Sequence, residues 1–188
     1  MWIAFPAASS SGCGSFVLLL LHHCGDVGEQ LFAVVDDAVL DGPAHAADLF
    51  NLQTFGFIYS RLTNPTVAVL EERVAALEGG RAAVCAASGH AAQFLAFFTL
   101  LEPGDEFLSS INLYGGSITQ FGISFKRLGW TCHFVDPTEP ENFAAALTPN
   151  CKAIFIENLA NPGGVVTDIA AIAAIAFGRR AVVVDANV

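Results

Sequence analysis

The sequence predicts an α/β domain with a mostly parallel sheet and helices on both faces. Three observations carry this reading. From residue 64 onward, short apolar runs alternate with segments of helical periodicity. The short runs are continuously apolar, as strands covered on both sides are, and do not alternate with polar residues. The junctions between them carry caps, prolines and glycines.

The elements follow in order. Asn64-Pro65 pairs an N-cap with a proline at the first helical position, and Val67, Leu70, Val74 and Leu77 then recur at helical spacing until Gly79-Gly80. Residues 82–87 read as a buried strand. Ser88-Gly89 opens a second helix that Pro103-Gly104 ends. Residues 106–109 read as a strand, 115–128 as mostly helical, and 131–135 as a strand closed by the Asp136-Pro137 turn. A short helix at 139–147 precedes a strand at 152–157 and a loop at 161–164. Asp168 caps a helix to Phe177, and a final strand runs from Ala181 to Asp185. No repeat of fixed period is present. Nothing follows the last strand to cover it, so the domain is expected to be incomplete at its C-terminus.

Composition narrows the class. Hydrophobic residues make up 54% of the 188 and charged residues 14%, which implies either a membrane protein or a surface covered by something else. The longest apolar run, residues 16–21, falls far below the roughly 18 residues of a membrane helix. It also lacks the basic flank of a signal peptide, because no Lys or Arg precedes Arg61. No membrane partner is expected. A net charge of −10 with eight Lys plus Arg argues against nucleic acid. The five cysteines are odd in number and none has C-x-x-C spacing, so reduced thiols in the cytoplasm fit better than disulfides or zinc. His22-His23-Cys24 reads as a loop, and no metal site is expected. Residues 1–43, with a Ser/Gly patch and scattered acids, read as an atypical arm or disordered segment, and 44–188 as the partial domain.

In open α/β sheets, ligands bind beyond the carboxyl ends of the strands. Those ends are Ser88-Gly89, Ser109-Ser110, Glu157-Asn158 and Asp185. The Ser88-Gly89-His90 turn can hold an anion on free helix N–H groups, or be a plain cap. A carboxylate at Asp185 is costly to bury unless it meets a cation; a helix cap or surface turn fits the same pattern. Tyr59 and Arg61 share one side of an extended stretch and can offer a hydroxyl and a guanidinium to one phosphate. The alternative is a surface Arg beside a half-buried Tyr. Tyr114 suits stacking on an aromatic ligand or ordinary core. No dinucleotide fingerprint, Walker loop or nucleophile elbow is present.

Six segments then appear in a telling order: residues 50–66 (FNLQTFGFIYSRLTNPT), 77–80 (LEGG), 88–92 (SGHAA), 113–116 (LYGG), 134–137 (FVDP), and Asn161-Pro162. Together they resemble the Cys/Met-metabolism (transsulfuration) family of pyridoxal-phosphate enzymes, and residues 50–61 are most similar to its O-acetylhomoserine sulfhydrylase branch. The resemblance implies the large cofactor domain of fold-type I enzymes and a reaction of O-acetylhomoserine with sulfide to give homocysteine and acetate. Cystathionine γ-synthase or γ-lyase chemistry is the alternative within the family. It implies that Ser88, Gly89 and His90 hold the cofactor phosphate, Tyr114 stacks on the ring, Asn161 lies near its phenolic oxygen, and Asp185 pairs with its nitrogen. Tyr59 and Arg61 would reach the phosphate of a neighbouring subunit in a homo-oligomer.

The family's Schiff-base lysine lies beyond this aspartate, whereas this chain stops at Val188 and carries only Lys126 and Lys152. Residues 185–187 also read Asp-Ala-Asn where the family has Asp-Asn-Thr. The expectation is therefore a truncated chain, inactive alone, or a non-catalytic subunit that associates with a full-length relative.

Overall fold

The computed structural model describes residues 2–6, 17–21, 42–58, 64–179 and 181–187. In chain order the elements are β1 (Trp2–Pro6), β2 (Val17–Leu21), α1 (Pro43–Phe50), α2 (Pro65–Leu77), β3 (Gly80–Cys85), α3 (Gly89–Leu100), β4 (Glu106–Ser110), α4 (Gly115–Thr119), β5 (Thr131–Val135), α5 (Pro140–Ala146), β6 (Cys151–Glu157), α6 (Ile169–Gly178) and β7 (Val182–Asn187). A π turn (Gln120–Ser124) and a 3-10 turn (Phe125–Leu128) prolong α4, where the sequence predicted one helical stretch.

Five strands form one parallel sheet in the order β2-β7-β6-β4-β5. This is the predicted architecture, and the alternation of side chains explains it. Phe107, Phe155 and Val184 face one side, where they pack with Ala92, Ala96 and Phe97 of α3 and with Phe121 and Phe125. Leu108, Ile154, Ile156 and Val183 face the other, against Phe143 of α5 and Ile172 and Ala176 of α6. Both parities are apolar because both faces are covered.

Two expectations are corrected. Residues 82–87 are not a buried strand of the main sheet. β3 pairs antiparallel with β1 in a separate two-stranded sheet, and only Ala83 of it is buried. An alanine-rich run looks apolar but has little area to gain from burial. The last strand, moreover, is not an uncovered edge: β7 lies between β6 and β2, and Asp185 sits inside it, two residues before its end. Residues 1–43 supply the backbones of β1 and β2; most of that segment lies outside the described residues. Among the described residues no helix is long and apolar enough to cross a membrane.

The caps are in place. Asn64 Oδ1 accepts the N–H groups of Thr66 and Val67, and Asp168 Oδ1 accepts that of Ala171. Gly129 ends the 3-10 turn at φ 84°, and a Cβ there would lie 3.2 Å from the Cβ and 3.3 Å from the Cα of Pro103. Gly129→Ala is expected to cost about 1–2 kcal/mol, the left-handed penalty plus the contact. Gly178→Ala, which meets nothing, should change stability by less than about 0.5 kcal/mol. Urea midpoints of the two variants check this.

Candidate cofactor site

The carboxyl edge of the parallel sheet gathers most of the predicted residues. Ser88 caps α3, its Oγ accepting the Ala91 N–H at 3.1 Å. The hydroxyl is thus engaged as a cap, and the first-turn N–H groups of Gly89 and His90 have no acceptor within the helix. The helix dipole makes that end favourable for an anion.

Tyr114 follows β4 and precedes α4, half exposed. Its ring lies 5.9 Å from that of His90, tilted by 34°. Gly116 makes the approach possible, since a Cβ there would sit 2.5 Å from Tyr114 Cε1 and 2.6 Å from His90 Cε1. Two glutamine bridges lock this junction of α3 and α4. Gln93 Nε2 donates to Ser117 Oγ at 2.9 Å, and Gln120 Nε2 donates to the His90 carbonyl at 2.9 Å. Neither glutamine was expected from the sequence, because their partners lie 24 and 30 residues away.

The sequence marks Glu157 only as a strand end. It is buried at the end of β6, with Oε1 accepting the Tyr114 N–H at 2.9 Å and Oε2 the Asn161 N–H at 3.0 Å. Burial pushes its carboxyl above the usual range, and those two N–H groups oppose the shift. Asn161 starts the loop that Thr167 closes back onto β6, its N–H donating to the Asn158 carbonyl. Asp185 lies on the adjacent strand, paired with Ile156, one step before the Glu157–Ala186 pair. It is 1% exposed, and its Oδ1 has no hydrogen-bond partner among the described residues. Burial raises its carboxyl to about 7, the backbone N–H groups of Asn158 and Ala186 pull it down, and the carboxylates of Glu78 and Glu157 push it further up.

One edge therefore carries a helix start suited to an anion, an exposed aromatic ring, and a buried carboxylate oxygen that meets no donor among the described residues. A ligand with a phosphate at one end, a flat ring, and a protonated nitrogen at the other meets all three demands. Pyridoxal phosphate has these features, so the residues present fit it.

Tyr59 and Arg61 lie outside the described residues. Lys126 sits in the 3-10 turn leading to β5 and Lys152 is the second residue of β6, so both stand at the opposite, amino edge of the sheet. Among the described residues no cluster of three or more His, Cys, Asp or Glu could hold a metal ion.

Residues 37–188 match the family model described as Cys/Met metabolism PLP-dependent enzyme. The chain is 51% identical over 136 residues to O-acetyl-L-homoserine sulfhydrylase 1 of Thermus thermophilus, covering 72% of this chain and 32% of that one. It is 46% identical over 149 residues to the homocysteine/cysteine synthase of Kluyveromyces lactis, covering 79% of this chain and 34% of that one. A solved O-acetylhomoserine (thiol)-lyase of Campylobacter jejuni, containing N'-pyridoxyl-lysine-5'-monophosphate, superposes with a TM-score of 0.74 at 38% identity, covering 79% of this chain and 36% of that one. The chain spans about a third of the length of these relatives. The parallel sheet described above is thus part of a fold-type I pyridoxal-phosphate enzyme fold.

Proposed function

Because this chain belongs to the Cys/Met metabolism family of pyridoxal-phosphate-dependent enzymes, we propose that it forms the cofactor cradle of an O-acetylhomoserine sulfhydrylase, which makes homocysteine and acetate from O-acetylhomoserine and sulfide. The observation that carries the cradle is the Asp185 Oδ1, unpartnered among the described residues, on the same sheet edge as the α3 N-terminus. The relatives' names supply the substrates. When bound, the cofactor supplies an electron sink for bond making and breaking on the amino acid.

The chain's own residues divide the remaining work. Gly89 and His90 hold the phosphate through backbone N–H groups, and Ser88 keeps that helix start open by capping the next N–H. Tyr114 covers the ring. Asn161 meets its phenolic oxygen. Asp185 holds the proton on its nitrogen, which strengthens the sink. Tyr59 and Arg61 complete the phosphate site of a neighbouring copy in a homo-oligomer. Exposed Phe50, Leu52, Phe55 and Phe57, directly before them, support an associating surface. That observation also favours a second reading: a non-catalytic subunit completing a full-length relative's site. Titration of the chain into such an enzyme, with no change in its assembly or rate, would count against it. The free thiols of Cys85, Cys132 and Cys151 fit the cytoplasm.

With Lys126 and Lys152 at the far edge, these 188 residues alone are expected to bind the cofactor without turnover. The test uses 4-deoxypyridoxine 5'-phosphate, which has no aldehyde to condense with surface amines. Fluorescence titration should show it binding at least about tenfold tighter than unphosphorylated 4-deoxypyridoxine, roughly 1.4 kcal/mol from the phosphate. Equal affinities would overturn the cradle. Gly116→Ala should weaken the phosphorylated ligand by about fivefold, because the new methyl must push the Tyr114 and His90 rings aside, with little change in thermal midpoint. Homocysteine formation from O-acetylhomoserine and sulfide by the chain alone would overturn the expected lack of turnover.

A further inference from the structure

We infer that Glu157 is a positioning residue of the cofactor site, one buried carboxylate whose two oxygens set the places of Tyr114 and Asn161 together. This rests on the cofactor reading above and adds to it a residue that need not touch the ligand.

The geometry carries the inference. The backbone at Glu157 is held from two sides. Thr167 Oγ1 donates to the Glu157 carbonyl at 3.0 Å, and the next residue, Asn158, donates its N–H to Ala186 on β7 at 3.2 Å. The carboxylate is therefore a fixed point at the end of a central strand, and two separate segments come to it. Tyr114, 43 residues earlier, gives its N–H to Oε1, and Asn161, four residues later, gives its N–H to Oε2. Tyr114 is also the cap residue of α4, so its N–H bond sets where that helix begins. A carboxyl group offers an acceptor at each of its two oxygens, and here each takes one N–H. A glutamine of nearly the same shape would turn one acceptor into a donor and set an NH2 group against one of the N–H groups.

The experiment compares the full chain with Glu157→Gln and with Thr167→Val. The valine variant loosens the same strand end without touching Tyr114 or Asn161. In the cofactor-free protein, amide hydrogen exchange at Tyr114 or Asn161 should accelerate by about tenfold in Glu157→Gln and stay near wild type in Thr167→Val. Affinity for 4-deoxypyridoxine 5'-phosphate should fall by about tenfold in Glu157→Gln and change less than about twofold in Thr167→Val. Unchanged exchange at both amides in Glu157→Gln would overturn the inference, as would unchanged affinity despite faster exchange. Equal losses in the two variants would also overturn it, by showing a structural role only. Failure of the wild-type chain to bind the ligand would overturn the cofactor reading instead, and the exchange measurement would still decide whether Glu157 holds the two segments.

Discussion

Asp185→Asn is expected to stabilise the cofactor-free chain at about pH 8 while weakening its hold on 4-deoxypyridoxine 5'-phosphate by about a hundredfold. The two effects have one cause. Asp185 is buried with an oxygen that meets no donor among the described residues, and burial pushes its carboxyl up to about 7 from the ordinary 3.8. Between those values the unfolded chain has lost the proton and the folded chain keeps it, so stability falls as pH rises from about 4 to about 7, and above that the loss is complete. Asparagine never ionises. It should make little difference at about pH 4 and gain on the order of 2 kcal/mol at about pH 8, after allowing for relaxation around the charge. Glu157, also raised, leaves a residual slope of the same sign. Glu106 works the other way. Its carboxyl is lowered by hydrogen bonds from Thr148 and His133, so its contribution is present above the usual carboxylate range and fades only as pH falls through it. Between about pH 4 and pH 8 the falling arm of the profile is carried by Asp185 and Glu157. The thiols of Cys85, Cys132 and Cys151, raised by burial, add a slope of the same sign only above the usual thiol range. The lost affinity follows from removing the negative charge opposite a protonated ring nitrogen, a charged hydrogen bond worth about 1.5–3 kcal/mol. Urea unfolding across this pH range and ligand titration check both parts. A variant less stable at pH 8 and unchanged in affinity would mean that Oδ1 already has a donor in solution.

The ease of reading each part of the molecule tracks how local its physics is. Asn64, Ser88 and Asp168 were legible as caps because their acceptors serve N–H groups two or three residues away. β6 and β7 were legible because burial on both faces leaves a continuous apolar run, whereas β5, an edge strand with only Val135 buried, was legible by the Asp136-Pro137 turn that closes it. β1 and β2 were not, since the partners that define them, β3 and β7, lie far along the chain. The candidate site divides in the same way. Gly89, His90, Tyr114, Asn161 and Asp185 stand where strands end or turns begin, and the family resemblance rests on those same stretches. Glu157 did not stand out, because a single acid after an apolar strand looks like a solvated terminus. Only folding brings the N–H groups of Tyr114 and Asn161 to its two oxygens. Gln93 and Gln120 were silent for the same reason.

Phe97→Ala is expected to remove a large share of the folding free energy, and to damage the site more than an equal loss on the other face of the sheet would. Phe97 is fully buried on α3, its ring 4.4 Å from that of Phe107, 5.4 Å from those of Phe121 and Phe125, and 6.1 Å from that of Phe155. Truncation there loses transfer energy, leaves a cavity among rigid rings, and breaks several tilted and edge-on aromatic contacts. The cost is about 3–5 kcal/mol, against a total of roughly 5–15 kcal/mol for a domain of this kind. Phe143→Ala on α5, equally buried in the cluster on the opposite face, should cost a similar amount. The two variants part company in binding. Phe97 lies one helical turn beyond Gln93, whose amide ties α3 to Ser117 of α4, and two turns beyond His90, whose carbonyl Gln120 holds. Loosening α3 against Phe121 and Phe125 therefore shifts the Ser88-Gly89-His90 turn relative to the Tyr114 ring. At low temperature, where both variants remain folded, Phe97→Ala should bind 4-deoxypyridoxine 5'-phosphate about fivefold more weakly than Phe143→Ala. Equal affinity in the two would mean that the α3–α4 junction is set by its glutamine bridges alone, independent of the aromatic core beneath it.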